Sequence, residues 1–172
     1  MVLSFSSTSQ RTLSVALPLL VNYLHQHDRN TRQWRSIRSH ILNDLNTVSC
    51  GERFNGYSAL FLLAGNPQGI QLLINDNELR SKTTAQGLNA VIAKGKVIGM
   101  SALICLACTP EGRQLLIDDE VLRGKITAGG LNAVIAEGLR KGTSALFFLT
   151  GNSEGRQLLT SNPELLGKIT AQ

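Results

Sequence analysis

Cys105-Leu-Ala-Cys108 is the pair in this chain of 172 residues whose type and spacing best suit chemistry. A CxxC can close as a redox disulfide or lend two thiolates to zinc. Either use needs an electropositive setting or a second set of ligands. The second set is missing: the third cysteine is Cys50, and no second CxxC occurs. The histidines are His25, His27 and His40. Residues two apart on a helix do not share a face, so His25 and His27 make no ligand pair. Arg123-Gly124-Lys125-Ile126 lacks the Gly-x4-Gly-Lys-Ser/Thr layout of a phosphate loop. No paired carboxylates recur, and Asp118-Asp119-Glu120 reads as a solvated turn. These absences predict a protein that is not an enzyme and that holds no metal and no cofactor.

Binding chemistry is better represented. Arg29, Arg32, Arg35 and Arg38 are spaced by three, with Trp34 among them. That spacing puts neighbours on adjacent helical turns. Trp and Arg are enriched at binding hot spots, and Arg also grips phosphate. The formal charge is +5, and residues 1–57 hold six Arg, three acids and no Lys. A basic N-terminal region admits nucleic acid or an acidic surface as an alternative partner. The competing assignment buries Trp34, Ile37, Ile41, Leu45 and Val48 as one apolar stripe and leaves the arginines merely wet.

What must position these residues is a repeat. SALICLACTPEGRQLL begins at Ser101, SALFLLAGNPQGIQLL at Ser58 and SALFFLTGNSEGRQLL at Ser144, each 43 residues from the next. In the same register Leu45-Asn46-Thr47-Val48 falls on Leu88-Asn89-Ala90-Val91, and residues 15–21 match 58–64 at four positions. The chain therefore divides, within one domain over 1–172, into a degenerate unit 15–57, units 58–100 and 101–143, and a partial unit 144–172. Fixed periods of this length mark stacked supersecondary units. The repeat also judges the CxxC. Position 105 is Leu62 and Phe148 in the neighbours, and 108 is Gly65 and Gly151, so both cysteines are expected in the core. Lys82, Lys125 and Lys168 recur, as do Glu111/Arg113 and Glu154/Arg156. They are expected to cap helices or form surface pairs.

Each unit reads as two to three helices. The first follows Ser101; the second follows Thr109 with Pro110 at its first position. A short turn surrounds Val121-Leu122. The third helix is capped by Thr127, with Leu131, Val134 and Ile135 on one face, and ends at Gly138 and Gly142. No stretch alternates with period two, so no sheet is expected. The partial last unit is expected to leave Leu158, Leu159, Leu165 and Ile169 along an open edge. Self-association or further chain would cover it; the competing assignment has the last helix fold back and hide these leucines unaided.

A unit of about 43 residues with two or three helices resembles the armadillo/HEAT class. TSALFFLTGNSEGRQLL is similar to the join between one armadillo repeat and the next. The resemblance implies an all-α, right-handed α-solenoid that binds a protein or extended peptide as a scaffold, adaptor or regulator. It also implies that Asn46, Asn89 and Asn132, which recur at the same step, form a ladder holding a peptide backbone. The competing role is an internal ladder that satisfies loop backbone. Glycines 69, 112 and 155 depart from armadillo repeats. Gly142-Thr-Ser-Ala-Leu-Phe147 and the Leu158-Leu159 pair also resemble ankyrin units. Divergent helical arrays of this kind are similar to those of effectors that bacterial pathogens deliver into host cells. That resemblance implies a host cytosol as one destination. The low, odd cysteine count suits a reducing, cytoplasmic compartment. No apolar run reaches the ~18–20 residues of a membrane span. Residues 13–24 have the length of a signal-peptide core, but no small-residue cleavage site follows, and the first repeat accounts for them.

Overall fold

The computed structural model describes residues 17–25, 31–49, 56–93 and 97–170. Cys50, His27, Arg29 and the Ser/Thr-rich first residues lie outside them. Every named element among the described residues is a helix, and none is a strand. Helix α1 covers 17–25 and α2 is Thr31–Asp44.

A small polar residue starts most of the later helices. Ser58, Ser101 and Ser144 cap α3 (Ala59–Ala64), α7 (Ala102–Cys108) and α11 (Ala145–Thr150), each hydroxyl accepting an N–H three residues on. Asn66 and Thr109 cap α4 (Pro67–Asn75) and α8 (Pro110–Asp118), both with Pro at the first position. Helix α12 is Ser153–Thr160. Asp76 and Asp119 cap α5 (Asn77–Lys82) and α9 (Glu120–Gly124), and Asn162 accepts from Leu165 N–H at the start of α13 (Pro163–Thr170). Thr84 and Thr127 cap α6 (Ala85–Asn89) and α10 (Ala128–Asn132). The expected turn at Val121-Leu122 is thus a short helix, because Asp119 supplies a side-chain acceptor that begins one.

The third helix begins at its Thr127 cap as expected, but its expected end at Gly138 and Gly142 is corrected. Helix α10 stops at Asn132 and the chain reverses. Ile135 N–H donates to Thr143 O and Gly142 N–H to Ile135 O, both at 2.9 Å. Ile92 and Gly99 make the same two bonds with Met100 and Ile92, and Ser49 and Gly56 with Tyr57 and Ser49, all at 2.8 Å. Gly56, Gly99, Gly138 and Gly142 have φ of 86°, 90°, 94° and 84°, a region that excludes most side chains and ends a helix. Among the described residues there is one isolated antiparallel bridge, Val134 with Ser144.

Like-placed helices touch: α3 with α7 and α7 with α11, α4 with α8 and α8 with α12, α5 with α9, α6 with α10. Their apolar faces share one core that includes Leu60, Leu63, Leu103, Leu106, Leu116 and Leu149. Glycines 69, 112 and 155 are explained by close approach. A Cβ at Gly112 would land on the backbone of Leu106 in α7, and Gly69 and Gly155 meet Leu63 and Leu149 alike. The open C-terminal edge is also corrected. Leu158, Leu159 and Leu165 are buried and Ile169 packs on the core, because α13 lies against α12 and α10.

Candidate functional site

Cys105 is buried on α7, and burial, followed by the nearby Cys108, pushes its thiol up to about 12. Cys108 is half-buried and raised too, chiefly by burial, with Arg140 opposing. Burial therefore disfavours the thiolate that a nucleophile or a metal ligand needs. Among the described residues no three His, Cys, Asp or Glu side chains converge on a metal position.

The arginine stripe divides. Trp34 stacks on Tyr23 with centroids 5.5 Å apart and packs against the core, as do Ile37, Ile41 and Leu45; Val48 is exposed instead. Arg35 is exposed. Arg38 is spent inside the molecule: Nε donates to Asp76 Oδ2 at 2.6 Å, and Nη2 to Asp76 Oδ1 at 3.0 Å and to Glu78 Oε2 at 2.7 Å. These bonds hold the Asp76 carboxyl below its usual range against the opposing effect of burial. The sequence alone did not disclose that this pairing recurs. Arg80 makes it with Asp119, the cap of α9, and donates to Leu73 O and Ile74 O. Arg123 donates to the matching carbonyls of Leu116 and Ile117, but faces Asn162 where the pattern would place an aspartate. The signal available was the Arg-to-cap spacing, 38 or 39 residues in each case.

The asparagines bind backbone. Asn46 Nδ2 donates to Lys82 O at 2.8 Å and its Oδ1 accepts from Thr84 N–H at 2.9 Å. Asn89 repeats this with Lys125 O at 2.8 Å and Thr127 N–H at 3.1 Å. Each amide therefore ties the end of one unit to the capped start of a helix in the next. Both ends of each amide are thus engaged within the chain, the arrangement of the internal ladder. Asn132 donates to Ala128 O at 2.9 Å and is half-buried. A Cβ at Gly87 or Gly130 would overlap the carboxamide of Asn46 or Asn89, so those glycines make room for the rungs. Lys125 Nζ donates to Arg80 O and Ser81 O at 3.0 Å each, and desolvation lowers its pKa. Lys82 and Lys168 pair with Glu78 and Glu164 four residues away.

Among the described residues two surfaces stand out as places for a partner. Val48, Val91 and Val134, two residues after the three asparagines, are 43%, 46% and 55% exposed at the entrances to the hairpins. Ala136 N–H donates to Ile98 O at 3.0 Å, joining the second and third hairpins. A Cβ at Gly99 would meet the Val134–Ala136 backbone at 2.6–2.7 Å, which shows how closely these loops pack. Phe147 stands exposed at the start of α11. The second surface is a groove of about 700 Å3 lined from α4, α5, α8, α9 and α12. No helix among the described residues is long and apolar enough to cross a membrane. No protein-family model, curated protein or solved structure matches the chain.

Proposed function

We propose that this chain is a protein-binding module, a right-handed solenoid of 43-residue helical units that receives its partner along the row of hairpins. The carrying observation is the exposure of Val48, Val91 and Val134 at one recurring position. An apolar side chain left in water at three equivalent sites is a costly pattern for a surface that meets only solvent. The asparagine rungs, the contacts between like-placed helices and the Ala136–Ile98 bond support units stacked in register. Such stacks build extended recognition surfaces. Hairpins between the helix sets favour the ankyrin-like resemblance over the armadillo-like one, because ankyrin units pair helices with a β-turn.

The nucleic-acid reading draws on the exposed Arg35, while Arg38 is withdrawn from it by Asp76 and Glu78. Photocrosslinking separates the two. With a photoreactive amino acid at Val91 or Val134, the same protein adduct is expected from both sites and none from the exposed Ser81 on α5. Adducts of equal yield from all three sites, or nucleic acid alone, would contradict the proposal.

A further inference from the structure

We infer that the groove between α4–α5 and α8–α9 is a second recognition site, one that takes a peptide segment alternating apolar side chains with Lys or Arg. Ile74, Leu115, Val121 and the ring of Pro110 supply its apolar lining, and Val121 is 61% exposed. A lining of this kind favours apolar side chains in the ligand.

The charge around it selects their neighbours. Glu111, Asp118 and Glu120 line the groove, and none has a cationic partner among the described residues. Asp118 accepts only from Gln114 Nε2, at 2.8 Å. The one cation in the lining is Arg80, which is paired with Asp119 and donates three further N–H groups to Leu73 O, Ile74 O and Asn77 Oδ1. The groove is therefore negative on a chain whose net charge is +5. An anionic segment is repelled there and a cationic one attracted.

Folding does not explain the set. Glu111 and Glu120 lie in first turns of helices, where a carboxylate is favourable, but Asp118 ends α8, where the helix dipole opposes it. One unit earlier the positions of Asp118 and Glu120 hold Asn75 and Asn77, and one unit later Ser161 and Pro163. Asp118 and Glu120 thus belong to this unit alone, while Glu111 recurs as Glu154, which lines the same groove.

The probe is a short fluorescent peptide alternating Leu and Arg, followed by anisotropy against the full chain. Two controls alternate Leu with Glu and Ser with Arg. The Leu/Arg peptide is expected to bind, more weakly as salt rises, and both controls to bind at least about tenfold more weakly. Glu111→Gln, Asp118→Asn and Glu120→Gln together should weaken it about tenfold, as three rim charges removed. Val121→Ser should weaken it without changing the salt dependence. These positions are exposed, so the variants keep the fold. Three results would overturn the inference: no binding by the wild type, equal binding of the Ser/Arg peptide, or binding indifferent to the triple substitution. Self-association of the chain that the triple substitution abolishes, with the peptide unbound, would overturn it in favour of a second copy as occupant.

Discussion

At the scale of single residues, the asparagine rungs carry the joins between units. Asn89 satisfies Lys125 O and Thr127 N–H from the following unit, and Gly130 clears the space it occupies. Asn89→Ala should cost about 2 kcal/mol, because it strips partners from two backbone groups in a packed join. Gly130→Ala should cost about 1–3 kcal/mol by overlap with the Asn89 carboxamide. In the double variant the costs should fall short of additive, since truncating Asn89 vacates the space the new methyl needs. Urea midpoints of the four proteins decide; strict additivity would separate the two residues. The recurrence of these asparagines was legible in the sequence, but the direction of each amide was not. A spacing of 43 is the same whether the side chain points at a ligand or at the next helix. The burial of Cys105 was legible, because its neighbours at that step are Leu62 and Phe148. In a Cys50→Ser background, Cys105 should resist thiol reagents at neutral pH in the folded protein and react readily in denaturant. Prompt labelling of the native thiol would contradict its burial.

At the scale of helices, one guanidinium–cap pairing joins α2 to α5 and α5 to α9, and it stops short of α13. Asp76 both caps α5 and meets Arg38, so Asp76→Asn keeps an acceptor for the cap while removing the charge. A loss of about 1 kcal/mol is expected at neutral pH. The Arg38 bonds place the Asp76 pKa below its unfolded value of about 4. In that window the unfolded chain binds more protons, so stability rises with pH. The pairing contributes fully above the unfolded value and is lost as pH falls through the folded one. The difference between wild type and Asp76→Asn should therefore vanish in acid, and a constant difference in urea midpoint across that range would contradict the pairing. Conversely, Asn162→Asp would give Arg123 the carboxylate that Arg80 already has, and should raise stability by about 0.5–1 kcal/mol at neutral pH. Caps and helix starts at Ser101, Thr109 and Thr127 were legible because a small polar residue before an apolar run has a local cause. The end of α10 was not. Leu131, Val134 and Ile135 satisfy helical spacing over so few residues that only the positive φ of Gly138 and Gly142 separates a helix from a hairpin.

For the whole molecule, the repeat told more than any motif: it placed the core and removed the CxxC from consideration. It did not reveal the hairpins or the groove, which depend on contacts between units, and it left the packing of α13 over the last leucines as one of two readings. The proposed function rests on the hairpin row, with Val48, Val91 and Val134, receiving a protein partner. Replacing all three with Gln removes apolar surface without adding charge, so an electrostatic partner would not notice. These side chains are exposed, and the urea midpoint should move by no more than about 0.5 kcal/mol per site. If each valine loses about 1 kcal/mol of burial on binding, affinity should fall roughly a hundredfold. The deciding measurement is quantitative affinity capture from lysate with the wild type and the triple variant side by side. A defined protein should be held by the wild type and lost by an equally stable variant. Equal retention by both, or retention of nucleic acid alone, would contradict a protein partner on the hairpin row.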